Sequence, residues 1–187
     1  MKFLILSFLL NPIFPLEKAT LAGGCFWCME PPFDKTKGVV KTISGFAGGK
    51  EVSPTYKQVA GGKTGHVEVV EIHYDEKKVN FNKLLRVYER NIDPTDNEGQ
   101  FVDRGGQYRP VVFYHNKKQH KQAEKWKKAL QKSNKFEKDI AVDILPVTKF
   151  YPAPDYHQDY YKKNPLRYKF YRSRSGRDQF LKKHWKK

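Results

Sequence analysis

Both cysteines of the chain stand in one short segment, Gly24-Cys25-Phe26-Trp27-Cys28-Met29-Glu30. An ionised thiol is a strong nucleophile, and two thiols three residues apart can join in a disulfide if their sulfurs face one another. Lys18 to Ala22 reads as a short strand stopped by Gly23 and Gly24. A helix is expected to start near Glu30, with Pro31 and Pro32 in its first turn, where a missing N–H costs little. A cysteine at such a strand-to-helix turn is expected to be accessible, and the helix N-terminus to lower its pKa. Phe26 and Trp27 add two aromatic faces, a natural seat for a methyl group or thioether. The competing readings are a buried structural thiol and a metal ligand. His66, His73, His115, His120, His157 and His184 are scattered, with none at ligand spacing from a further thiol, which disfavours zinc.

Two other segments could assist a thiol. Gly61-Gly62-Lys63-Thr64-Gly65 leads into a strand, His66 to Tyr74, on which His66, Glu68, Val70, Ile72 and Tyr74 share one face. Glu68 is expected where a core-facing row meets a glycine-rich rim. Partial desolvation there raises a carboxyl's pKa and suits it to general-acid work. A surface or salt-bridged glutamate is the plain alternative. Gly99 to Arg109 is a polar loop offering Asp103, Gln107 and Tyr108, a weak signal alone because Asp and Gly are ordinary turn residues.

The elements that must hold these groups alternate. Val39 to Phe46 reads as a strand. Asn80 caps a helix with Phe81, Leu84, Leu85 and Tyr88 on one face, ended by Asp93-Pro94. Tyr108 to Tyr114 is a strand, and Asn116 caps a basic helix with Ala123, Trp126 and Leu130 inward. Ile140, Val142 and Ile144 alternate as a last strand. From Pro146 the chain reads as a long irregular segment with at most a short helix around Tyr156 to Lys163, its tyrosines favouring a wrap around the domain. This is an α+β order with a mixed sheet. At 187 residues it makes one domain, and 39% hydrophobic content argues against disorder. The net charge of +16 gives a surface that attracts polyanions without defining a nucleic-acid binder. Residues 1–17 read as a signal peptide or an apolar arm: Lys2 and Phe3 to Leu10 fit the former, but a small-residue cleavage site is missing. We read the chain as exported (periplasmic), with a cytoplasmic location as the alternative, and residues 18–187 as the working domain. The apolar run is too short for a stable membrane span.

Taken together, the segments resemble the A-type methionine sulfoxide reductase family, from about Lys18 to Trp185. The resemblance rests on Gly24-Cys25-Phe26-Trp27, Pro54-Thr55-Tyr56, Thr64-Gly65-His66 with Glu68, Asp93-Pro94-Thr95, Gly106-Gln107-Tyr108-Arg109 and Asp155-Tyr156-His157-Gln158. It implies a two-layer sandwich with a ferredoxin-like core and reduction of the S epimer of methionine sulfoxide, free or in proteins. Carried over residue by residue, Cys25 is the nucleophile, and Phe26 and Trp27 form the methyl pocket. Glu68 is the acid near the sulfoxide oxygen, assisted by Tyr56 and Tyr108, with Asp103 beside the substrate or a bound water. Glu30 matches a motif position as a structural or secondary candidate.

There are departures from the family pattern. Phe46 stands where Tyr is common, Pro154 replaces a common acid, and no recycling cysteine follows Cys28. Resolution therefore falls to Cys28: a sulfenic acid on Cys25 would condense to a Cys25–Cys28 disulfide, which thioredoxin or a similar dithiol would reduce. No metal or organic cofactor is implied, and the enzyme is expected to act as a monomer. The rivals are a thioredoxin-like disulfide exchanger and a basic RNA- or heparin-binding module using Lys117 to Lys128. The first leaves the other motifs unexplained, and the lysines of the second suit a solvated helix face.

Overall fold

In the computed structural model, residues 15–185 are described. The apolar run assigned to a signal peptide lies outside them. The chain order is β1 (Glu17–Ala22), α1 (Phe26–Asp34), β2 (Val39–Ala47), α2 (Tyr56–Ala60), β3 (Val67–Tyr74), α3 (Phe81–Glu89) and the short pair β4 (Gly99–Gln100) and β5 (Asp103–Arg104). β6 (Val111–Tyr114), α4 (Lys117–Lys132), β7 (Asp143–Pro146), β8 (Tyr151–Pro152), α5 (Tyr160–Lys163), α6 (Pro165–Arg174) and α7 (Arg177–His184) follow. Six strands form one sheet in the order β7-β6-β1-β3-β2-β8. β6 and β7 run parallel and the other neighbours antiparallel, so the sheet is mixed. Its inner part, β1-α1-β2-β3-α3-β6 with strand order β6-β1-β3-β2, is the ferredoxin-like core expected.

Strand alternation sorts the side chains. Ala19, Leu21, Val70, Ile72 and Val112 face α1, α3 and α4, where Phe26, Met29, Phe33, Leu84, Leu85, Tyr88, Ala123, Trp126 and Leu130 complete the main core. Val67, Val69, Val111 and Phe113 point the other way, under Val147 and Phe150. The caps fall where expected: Asn80 accepts from the Lys83 N–H and Asn116 from the Gln119 N–H. The side chains of Lys117, Lys118, Lys121, Lys125 and Lys128 lie on the solvent side of α4.

Several boundaries differ from expectation. α1 starts at Phe26, so Pro31 and Pro32 lie inside it rather than in a first turn. Pro32 has no N–H for the Cys28 carbonyl, which instead accepts from Arg172 Nη1 at 3.3 Å. α3 ends at Glu89, short of Asp93-Pro94. β6 begins only after Pro110, with Gly106–Tyr108 forming a 3-10 turn. Ile140 and Val142 are buried, but they precede the ladder of β7. The C-terminal segment is mostly helical. Its helices escaped a periodicity reading because α6 buries no side chain fully, so no apolar stripe marks it. The wrap itself is present: Gln158 bridges to the N–H and carbonyl of Ser44 on β2, at 2.9 and 2.8 Å. No helix among the described residues is long and apolar enough to cross a membrane.

Candidate active site

Cys25 is the N-cap residue of α1, delivered there by β1 and the turn at Gly23-Gly24. Gly24 has φ +85°, and a Cβ on it would come within 2.7 Å of Arg177 Nη2 and of the Gln100 side chain, so only glycine fits. The thiol is not accessible as expected: Cys25 is 8% exposed and Cys28 is fully buried. Both are free thiols. Nor is the Cys25 pKa lowered. Burial pushes it well above the ordinary thiol value, and Glu68, Cys28 and Asp103 add to the rise, while a hydrogen bond from Tyr171 works against it. The first amide of α1, Phe26 N–H, donates to Glu68 Oε2 at 3.1 Å.

Glu68 is where the sequence put it, on the core-facing side of β3 and 2% exposed. Desolvation raises its pKa from 4.5 to about 8, opposed by the Phe26 N–H and helped by Asp103. It therefore holds a proton at neutral pH, as a general acid must. Tyr56 opens α2, whose capping box at Thr55 and Gln58 fixes its start. Burial, with Glu68 and Cys25 next, pushes its phenol up to about 12. The same causes raise Tyr108, at the end of the 3-10 turn. Both phenols thus keep their protons and lie within electrostatic reach of Glu68 and Cys25. Asp103, on β5, accepts from Tyr171 Oη at 2.6 Å, and the Cys25 backbone N–H is another partner.

Aromatic rings enclose the thiol. Phe26 packs on Phe46 and Tyr56 with centroids 6.0 and 6.4 Å apart, so the Phe46 departure keeps an apolar face. Trp27 stacks on Tyr160 at 3.7 Å and donates from Nε1 to His157 Nδ1 at 3.0 Å. Burial lowers the His157 pKa to about 4, so its ring is neutral. With Nδ1 accepting, the proton sits on Nε2, which has no protein partner.

The structure thus gathers Cys25, Phe26, Trp27, Tyr56, Glu68, Asp103 and Tyr108, with Cys28 one turn further along α1. Glu30 is not among them. It is buried, its pKa raised by burial to about 7, and its Oε1 accepts from the Asp159 N–H at 3.1 Å. The nearby Asp34 and Asp159 share the ammonium of Lys162, at 3.0 and 2.6 Å. His66 is also outside the site, its ring bonded to the Glu51 carbonyl at 2.8 Å. Sequence reasoning missed Tyr160, Tyr171, Arg172 and Arg177, which reach the site through the tail without a local signal. His157 was legible only as part of its motif. Arg177 is fully buried, donating to the Gly23 carbonyl at 2.9 Å. It and Arg172 oppose the effect of burial, which raises the Cys28 pKa.

A buried thiol beside a protonated carboxyl, in an aromatic cage with a second thiol behind it, defines a thiol-dependent oxidoreductase. The family model described as "Peptide methionine sulfoxide reductase" matches residues 17–187, and the chain belongs to that family. It is 55% identical over 172 residues to "Peptide methionine sulfoxide reductase MsrA" of Halalkalibacterium halodurans, covering 92% of this chain and 98% of the relative. It resembles the reduced form of Mxr1 from Saccharomyces cerevisiae at TM-score 0.76 and 34% identity, over 81% of this chain and 87% of that one. The same yeast protein in complex with Trx2 matches at TM-score 0.55 and 25% identity, over 78% and 85%.

Proposed function

We infer that this protein reduces methionine-(S)-sulfoxide, free or within polypeptides, with Cys25 as nucleophile and Glu68 as acid. The observation that carries the reading is the protonated Glu68 carboxyl bonded to the amide next to the thiol. A sulfoxide oxygen leaves sulfur only if it is protonated, and a buried carboxyl titrating near 8 supplies that proton at neutral pH. Phe26 and Trp27 receive the S-methyl group, and Tyr56 and Tyr108 donate hydrogen bonds toward the oxygen. Asp103, tied to Tyr171, orients the substrate or a water beside it.

In the first step the Cys25 sulfur, giving up its proton, attacks the sulfoxide sulfur while Glu68 protonates the oxygen; the substrate S–O bond then breaks and the oxygen passes to the Cys25 sulfur. The substrate sulfur is reduced to methionine and Cys25 is oxidised to sulfenic acid. Glu68 gives a proton to the oxygen and regains one from the Cys25 thiol, so no net proton is consumed. Cys28 then attacks the Cys25 sulfur, releasing water and leaving a Cys25–Cys28 disulfide. Arg172 and Arg177 favour its thiolate against the cost of burial. A thioredoxin-type dithiol attacks that disulfide and is itself oxidised, a step supported by similarity to the yeast protein seen with Trx2. A general disulfide exchanger fits less well, since it leaves the buried Glu68 carboxyl and the phenols of Tyr56 and Tyr108 without a role.

The test is turnover of the separate epimers of N-acetylmethionine sulfoxide with a small dithiol. The S epimer should be reduced, the R epimer left, and Cys25→Ser should be inactive. Turnover by Cys25→Ser would overturn the reading.

A further inference from the structure

α6 places two large apolar side chains in solvent, one helical turn apart: Leu166 is 81% exposed and Phe170 59%. Scattered exposed apolar residues are ordinary, but these two lie together beside the site. With Trp27, Tyr160, Arg167 and Tyr171 they line a groove of about 550 Å³. It adjoins the site through Tyr171, whose hydroxyl reaches Asp103 and the Cys25 thiol, and through Trp27, next to Cys25 in the chain and stacked on Tyr160. Its lining carries one charge, the Arg167 guanidinium, and no carboxylate. Phe170 is held in place by Arg174, whose guanidinium lies 3.9 Å from its ring centroid.

We propose that this groove binds the stretch of oxidised polypeptide flanking the methionine sulfoxide, taking an apolar neighbour against Leu166 and Phe170 and an acidic neighbour at Arg167. The inference rests on the proposed reductase reading and extends it to substrate choice. Continuity with Trp27 decides the occupant: a sulfoxide side chain seated at Phe26 and Trp27 brings its own neighbours over the adjoining wall. The single positive lining charge, on a chain of net charge +16, favours acidic over basic neighbours.

The test compares capped tripeptides, leucine-flanked against serine-flanked methionine sulfoxide, with N-acetylmethionine sulfoxide methylamide as the small reference and a small dithiol as reductant. Wild type should favour the leucine-flanked peptide in kcat/KM by about tenfold, the scale of partly burying one leucine. Leu166→Ser with Phe170→Ser should remove that preference and leave the methylamide unchanged, which also reports an intact fold. Arg167→Glu should invert a preference for aspartate- over lysine-flanked peptides. Equal wild-type rates on the leucine and serine peptides would overturn the proposal. So would a loss seen only when thioredoxin replaces the small dithiol, since the groove would then serve the reductant. Inactivity of wild type on the methylamide itself would instead sink the reductase reading, and this proposal with it.

Discussion

Replacing Glu68 by glutamine should slow the chemistry and alter the pH dependence of stability at once. The glutamine carbonyl can still accept from Phe26 N–H, now 3.1 Å from Glu68 Oε2, so the local fold should hold. The acidic proton is gone, and single-turnover reduction should fall on the order of 10²-fold or more, the usual scale for general-acid loss. The stability effect has a defined sign. Glu68 titrates at about 8 when folded and 4.5 when free. Its contribution is therefore fully present below 4.5 and is lost as pH rises through about 8. That interval, at roughly 1.36 kcal/mol per unit, makes about 4–5 kcal/mol as an upper figure for a group almost wholly buried. Glu30, raised to about 7, adds a slope of the same sign that both proteins share. Urea unfolding measured at intervals from pH 5 to 8 should thus show stability falling less steeply in Glu68→Gln, by up to about 1.4 kcal/mol per pH unit. Parallel slopes in the two proteins, or a variant with near-normal single-turnover rate, would refute the assignment of the buried proton to Glu68.

Wild-type single-turnover reduction should decline as pH rises through about 8, where Glu68 gives up its proton, and stopped-flow quenching across pH 6 to 9.5 checks this. Cys28→Ser should reduce one equivalent of sulfoxide at near-normal rate, stall with thioredoxin, and turn over with a small thiol that reaches the sulfenic acid directly. Arg172→Gln should slow alkylation of Cys28 several-fold in a Cys25→Ser background, with Arg172→Lys closer to normal; equal rates would remove the arginine from the resolving step. If residues 1–17 are an export leader, N-terminal sequencing of the protein isolated from its host should give a chain starting near Lys18; a chain that keeps the residues before it would reject the leader.

Much of the site could be read before the fold because its groups sit on elements with strong local signals. The β3 alternation put Glu68 on the same face as Val70 and Ile72, and the glycine pair before Cys25 marked a turn that only glycine can make. What failed was chemistry that depends on distant chain. The expected low pKa of Cys25 assumed a free helix N-terminus in water, but tail and loop cover the thiol, and burial raises its pKa. Pro31 and Pro32 suggested a later start of α1, but the helix tolerates them inside: the Cys28 carbonyl that Pro32 leaves without a helical partner accepts from Arg172 on α6. The tail helices were missed for a related reason. α6 touches the domain through half-buried Tyr171 and Arg172 and leaves Leu166 and Phe170 in solvent, so its apolar residues trace no inward stripe. Tyr171 reaches Asp103 across 68 residues, a pairing to which no local pattern points.

The central claim is that Cys25 takes the oxygen from methionine sulfoxide and passes the oxidation to Cys28. It is tested most directly by mixing reduced enzyme with one equivalent of the S epimer, without reductant, and analysing product and peptides by mass spectrometry. The account predicts one equivalent of methionine and a linked peptide carrying a Cys25–Cys28 disulfide. Methionine formed with Cys25 left as a persistent sulfenic acid, or with disulfides only between molecules, would contradict it.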